Sequence, residues 1–483
     1  MVRTDLLMPI KRIPERRGLL LVLLSLSVGL ILACFINLSP KAGVVVLLSG
    51  TAFVFVILIR KTDNIIFGWF FLTSFFYFLT WNFFPIPPHY YRLLGTAVFW
   101  GLLLCAVAAW AIDNVLRGRS FFPLSAVPLT LVCTVVLFLL WSALNVASSV
   151  DSYHSFKQWS HILIALAVTY MFLDLFSRNQ QNMARIFKVV SLLVMVMSFI
   201  MIAIAVQGLV TGTRIYKAIT LWFYNPNTIG DFFLTFMPIM LTSGFYFKPL
   251  RGMRSVLLAI VLLALFFTFA RTSWLGALCA IAFLLWKCGK YKASLVAAFL
   301  GLFVLGGMTV PLWREPVYDF LAGPRYTGRQ VLWRAAWSVA LDYPVLGTGL
   351  GTCQEFMNKY IEVQFLRDQN THNLLLRNAA DMGFFAAVLT LAVYALFFCY
   401  SWNIEKNLNS HGLRMAVRGA MASYVAMFVH DLFQNGTFLT HFTAGEAHII
   451  WPYVLLAIPF AARRLENTHG NGGLEYTPRT SRL

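Results

Sequence analysis

Residues 186–206 read Ile-Phe-Lys-Val-Val-Ser-Leu-Leu-Val-Met-Val-Met-Ser-Phe-Ile-Met-Ile-Ala-Ile-Ala-Val. After Lys188 the run carries no charge, and its only polar side chains are two serines. Apolar residues fall on every face, so no periodicity marks a side for water. Roughly 20 such residues in a helix span a bilayer's hydrocarbon core, where a helix satisfies its backbone within the segment. This stretch reads as a transmembrane helix.

Working outward, similar runs recur near residues 18–36, 42–59, 64–81, 94–112, 122–144, 157–176 and 228–247, and again near 255–270, 272–286, 291–311, 379–400, 415–430 and 445–461. They predict an all-α, polytopic integral membrane protein with about 14 transmembrane helices, 12 at the fewest. Composition agrees. The 483 residues are 59% hydrophobic and only 12% charged, about half the globular norm of roughly 25%. With a mean hydropathy of +0.73, this excludes a soluble enzyme, a disordered chain and a collagen-like fibre.

The formal charge is +19, but the Lys and Arg residues are spread over many loops rather than clustered on one face as a nucleic-acid footprint requires. The expected surroundings are a lipid bilayer, with no nucleic acid. Alternating the loops from a cytoplasmic start places 25 of the 38 Lys and Arg inside and 13 outside, the asymmetry that retention of cationic loops produces. Both termini are therefore expected in the cytoplasm of a multi-pass membrane protein. The expected division is 1–311, eleven helices with short loops; 312–378, a large outer loop carrying surface helices; 379–461, three more helices; and 462–483, a cytoplasmic tail. The N-terminus imitates a secretory signal but fits an uncleaved first span equally well. Of seven cysteines, only Cys353 falls clearly in the outer loop, so no disulfide framework is expected.

Polar chemistry collects at the outward ends of the spans. Arg214 lies in a loop before Tyr224-Asn225-Pro226-Asn227-Thr228, and Arg271 sits where two apolar runs meet. A guanidinium there costs a few kcal/mol unless it is paired or solvated. The outer loop carries Arg325, Arg329 and Arg334 and ends in Thr371-His372-Asn373. Arginines at a bilayer surface suit a diphosphate, because guanidinium forks bind phosphate oxygens bidentately and keep their charge. Gly347-Thr348-Gly349-Leu350-Gly351 lacks the Gly-Lys-Ser/Thr of a phosphate-binding loop and reads as a flexible turn between surface helices. No ligand spacing for a metal appears on the outer side, so neither metal nor cofactor is expected.

Asn225-Pro226-Asn227, Ala270-Arg271-Thr272-Ser273-Trp274-Leu275-Gly276, Gly328-Arg329 with Trp333, Pro344-Val345-Leu346-Gly347-Thr348-Gly349 and Thr371-His372-Asn373 through Gly383 resemble, in order, the successive motifs of the bacterial O-antigen ligase and polymerase superfamily. The resemblance covers about residues 210–390. It implies a metal-independent, inverting glycosyltransferase on the periplasmic face, with a glycan on undecaprenyl diphosphate as donor and the lipid A core, or another glycan, as acceptor. Carried over, Arg271 and Arg329 hold the diphosphate, with Arg214 a further candidate, and His372 is the base on the acceptor hydroxyl. Asn373, Arg334 and Asn227 are candidate supports. A polymerase with a lipid-linked repeat as acceptor is the alternative. The arginine-rich repeat of some polymerases is not evident, since eleven residues after Arg214 and Arg329 stand Asn225 and Ala340 rather than Gly. More remote are a protein O-oligosaccharyltransferase and a lipid-linked glycan transporter. The latter would place charges at mid-membrane, where here Asp231 is the nearest exception to nearly charge-free spans.

Overall fold

A computed structural model describes residues 126–212, 226–243, 254–293, 295–297, 328–434 and 451–470, together with residues 107, 110, 111, 114, 115 and 300. The first three expected spans, most of the runs at 94–112 and 291–311, the loop start at 312–327 and Arg214 lie outside the described residues. Every regular element among those described is helical: α1 Leu129–Ser148, α2 Ser152–Arg178, α3 Gln180–Val210, α4 Pro226–Ser243, α5 Arg254–Phe267, α6 Arg271–Lys287, α7 Arg329–Asp342, α8 Cys353–Met357, α9 Leu374–Asn407, α10 His411–Asp431 and α11 Trp451–Gly470. Two 3-10 turns, Asn358–Tyr360 and Gln364–Leu366, lie between α8 and α9. By length and composition α1, α2, α3 and α9 can each cross a membrane. The uncharged run after Lys188 lies within α3.

Local chemistry sets several starts. The side chains of Asp151, Asn179, Asn373 and Ser410 each accept a hydrogen bond from a backbone amide of the helix that follows, relieving the unpaired donors of a first turn. Helix α10 forms the hub, packed against α4, α6, α9 and α11. Its approach to α6 depends on Gly276, where an added Cβ would stand 2.7 Å from the Ala426 carbonyl oxygen. Small residues allow such close backbone approach when lipid supplies no hydrophobic drive between helices.

The ends of the bundle differ. At one end, Glu405 of α9 receives Lys287 of α6 at 2.6 Å and Arg418 of α10 at 2.7 Å, and the Lys287 ammonium lies 3.6 Å from the Trp402 ring centre. The other end gathers the starts of α2, α6 and α9, the close of α10, and the segment from α7 through α8.

That segment is not the flexible turn expected around Gly347. Gly383 breaks α9 with φ 83° and ψ 167°, leaving backbone groups without helical partners. The segment after α7 lies along the break and takes them up. Thr348 N donates to Ala380 O at 3.0 Å, Gly349 N to Asp381 O at 2.9 Å, and Phe384 N to Pro344 O at 3.0 Å. Helix α1 adds Asn145 Nδ2 to Asp381 O at 2.9 Å and Trp141 Nε1 to Met382 O at 2.9 Å, and Ser155 of α2 donates to Leu350 O at 3.0 Å. The glycines are there because backbone meets backbone: a Cβ at Gly383 would overlap the Val345 carbonyl, and one at Gly347 would overlap Asp381.

This clamp predicts a contrast between two positive-φ glycines. Gly289, at φ 74° after α6, has open space where a Cβ would stand, so Gly289→Ala should cost only the left-handed penalty of roughly 1–2 kcal/mol. Gly383→Ala must also displace the Val345 carbonyl, so its melting temperature, followed by tryptophan fluorescence in detergent, should fall by at least twice as much. Equal losses would mean that the clamp contributes nothing.

Candidate functional site

The site is built where α9 begins and α10 ends. Asn373 caps α9 by accepting from Leu376 N at 2.9 Å, and its Nδ2 donates to Leu432 O, just past α10, at 2.9 Å. One side chain thus ties two helix ends together. The residue before it, His372, is held at φ 51°. That conformation costs a non-glycine residue roughly 1–2 kcal/mol and persists where neighbouring bonds over-determine it. The ring is partly buried, and its Nδ1 is buried with no hydrogen-bond partner among the described residues.

Arg329, first residue of α7, approaches the same place. Its Nη2 donates to Gln434 Oε1 at 3.1 Å, and the Gln434 side chain lies close enough to His372 to act on its ring. One turn along α7, Trp333 packs on Phe433 with ring centres 6.2 Å apart. Its Nε1 is likewise buried without a partner among the described residues. Three segments remote in sequence therefore meet around the buried amide of Gln434.

Electrostatics keep His372 neutral. Burial is the largest cause, and the positive charges of Arg329 and then Arg377 add to it, bringing the imidazole down to about 4 against a smaller opposing effect of the Gln434 side chain. Arg377 is buried one turn into α9, with its Nε 3.5 Å from Asp381 Oδ2. From sequence alone His372 is an ordinary imidazole, because the fold is what brings these two guanidinium groups to bear on it.

Beneath this layer lies a buried polar thread. Asp231, one turn after Asn227 on α4, has Oδ1 2.8 Å from His430 Nε2. His430 Nδ1 is 3.2 Å from Asp431 Oδ1, and Tyr394 of α9 donates to Asp431 Oδ2 at 3.3 Å. On the other side Ser273 reaches Asp231 Oδ1 at 3.5 Å, two residues after Arg271. The start of α6 is thereby linked to the close of α10.

The remaining predicted residues divide. Arg271 is partly buried at the first position of α6, preceded by Phe269 in a left-handed conformation at φ 54°. Asn227 is partly buried at the start of α4. Asn373 acts as cap and tie. Arg334 is exposed on α7, and a five-residue step turns it away from Arg329's face. Gln434, His430 and Asp431 were not singled out as site residues. Only the polar close of an otherwise apolar span at 415–430 hinted at the last two.

Arg271 and Arg329 share an unusual placement. Each is the first residue of a helix with no acid in its first turn, where the macrodipole already presents positive potential and a cation works against stability. Two such termini attract an anion. Among the described residues no group of three His, Cys, Asp or Glu side chains is placed to hold a metal ion.

Residues 256–391 match the model of the O-antigen ligase family, which supports the superfamily resemblance read from the motifs in this segment. The match runs from α5 through the first half of α9. It includes Arg271, Arg329, Arg334, His372 and Asn373, and it leaves Arg214, Asn227, Asp231, His430 and Gln434 outside. No curated protein matches the chain.

The geometry predicts how His372 titrates. In protein labelled with ¹⁵N-histidine in detergent, and assigned with His372→Gln, the ring should stay neutral down to about pH 5 and protonate near 4. Arg329→Gln removes a neighbouring positive charge and should move that titration upward. An unchanged titration would separate the two side chains.

Proposed function

We propose that this protein is an O-antigen ligase-type inverting glycosyltransferase. It moves a glycan from undecaprenyl diphosphate to a sugar hydroxyl of the lipid A core on the periplasmic face of the inner membrane. The observation that carries the reading is the placement of Arg329 and His372 together beside Gln434 at one end of a helical membrane body, with both Arg329 and His372 in the segment that matches the O-antigen ligase family. The distribution of Lys and Arg supports a periplasmic site with both termini in the cytoplasm.

In the transfer, the acceptor oxygen bonds to the anomeric carbon of the donor sugar from the face opposite the diphosphate. The bond from that carbon to the diphosphate oxygen breaks, and its electron pair leaves on the diphosphate. The acceptor hydroxyl proton passes to His372. Arg271 and Arg329 bind the diphosphate and stabilise the charge that grows on it, an interaction stronger in the transition state than before it. Arg214 is a further donor contact, and no divalent cation takes part.

Donor binding also tunes the base. A diphosphate against Arg329 offsets part of the positive potential that depresses His372, so the ring becomes more basic once the donor is in place. Free enzyme governs kcat/KM and the loaded complex governs kcat. The acid limb of kcat/KM should therefore fall near pH 4, with that of kcat at higher pH. Coincident limbs would sink the coupling.

The decisive experiment is transfer in detergent from purified lipid-linked glycan, offered lipid A core and, separately, a second lipid-linked repeat. Product on the core supports the ligase, and product on the repeat alone would make the protein a polymerase. Arg271→Ala and Arg329→Ala should abolish transfer, with Lys a poor substitute because a point charge cannot fork. His372→Ala should lower the rate by roughly 10² to 10⁴ with donor binding nearly unchanged. Loss of donor affinity in proportion to rate would make His372 a phosphate ligand instead.

A further inference from the structure

Gln434 lies three residues past α10 and beyond the segment that matches the ligase family. It is only 4% exposed, so its amide is committed to protein contacts. Its Oε1 accepts from Arg329 Nη2 at 3.1 Å, and the same side chain lies beside the His372 ring. The backbone beside it is fixed as well: Leu432 O receives Asn373 Nδ2 at 2.9 Å, and Phe433 N donates to His430 O at 2.9 Å. A planar amide held by its backbone leaves two neighbouring side chains little freedom in distance or angle.

The choice of an amide has a physical reason. A carboxylate would accept from Arg329 equally well, but its negative charge would compete with a diphosphate for that guanidinium. An aliphatic side chain would fill the space and leave Arg329 without this bond. The amide accepts from Arg329 and sets a neutral polar group beside His372 while adding no net charge.

We propose that Gln434 is a positioning residue that sets the spacing and orientation of Arg329 relative to His372, so that a sugar whose diphosphate is held on the guanidinium meets an acceptor hydroxyl held on the imidazole. This rests on the glycosyl-transfer reading above. Misplacing a reacting group by about 1 Å can cost on the order of 10²-fold in rate, which sets the scale of the expected effect. The charged and titratable groups around His372 are Arg329 from α7, Arg377 from α9 and His430 from α10, with Asp431 and Asp231 behind His430.

The test uses the full chain in detergent with Gln434→Leu and Gln434→Glu. Gln434→Leu should lower kcat by roughly 10- to 100-fold while the donor KM changes much less. Gln434→Glu keeps an acceptor for Arg329 and places a negative charge beside His372. It should raise the donor KM and move the acid limb of kcat/KM to higher pH. Those two signatures do not follow from a purely structural role, which would lower the yield or melting temperature of the variants and leave kinetics per folded molecule unchanged. Wild-type kcat in Gln434→Leu with an unmoved acid limb in Gln434→Glu would overturn the assignment. If the wild-type protein transfers to no acceptor, the functional reading fails, and the bridge is then judged by histidine NMR. A higher titration of His372 in Gln434→Glu supports the bridge, and an unchanged one refutes it.

Discussion

The structure turns on a requirement of backbone chemistry. A helix broken inside an apolar body exposes amides and carbonyls that no water can satisfy, and each left open costs several kcal/mol. Helix α9 is broken at Gly383, and the carbonyls of Ala380, Asp381 and Met382 are received by amides of the segment after α7 and by Asn145 and Trp141 of α1. That exchange locks α7 and α1 to α9. Once it is made, Arg329 at the far end of α7 and His372 at the start of α9 belong to one frame.

Electrostatics then separate the two ends of the bundle. At one, Glu405 binds two cations across three helices, a compact arrangement that ties α6, α9 and α10 together. At the other, arginines begin helices where the dipole disfavours them, and a buried Asp231–His430–Asp431 thread lies beneath. Buried ionisable groups are costly unless paired, and removing one member leaves its partner exposed to that cost. The thread links the starts of α4 and α6 to the close of α10, the point from which Leu432 and Gln434 reach Asn373, His372 and Arg329. It holds the floor on which the outer layer stands.

Much of this was legible in the sequence because the signals were local. Uninterrupted apolar length located α1 to α6 and α9 to α11, even α10, whose Arg414, Arg418 and His430 dilute its hydropathy. Arg271 stood out because a guanidinium where two apolar runs meet is chemically expensive, and Arg329 and His372 stood out through the motifs that resemble the O-antigen ligase superfamily. What was not legible depended on pairing across distance. Gln434 has no local signature: a glutamine just past a helix end carries meaning only from what it touches. Asp231 and His430 were visible as polar residues near span ends, but not as partners. The glycines around Gly347 announced tight backbone without revealing that the backbone they approach is a broken helix. The depressed basicity of His372 arises from burial and from two arginines on different helices, and only the folded chain sets those charges against the ring.

The same depression bears on how a transferase avoids wasting its donor. A base strong in the empty site would be equally ready to activate water, and a lipid-linked glycan arriving there would be hydrolysed. An imidazole that burial, Arg329 and Arg377 hold down to about 4 is a weak base until an anion lowers the positive potential around it. Under the proposed function that anion is the donor's own diphosphate, so basicity rises only when the electrophile is present. The entry of the acceptor can then expel water from the partly buried ring, and the sugar hydroxyl becomes the group positioned to lose its proton. Charge placement at Arg329 would in this way serve both halves of the reaction, holding the leaving group and timing the base.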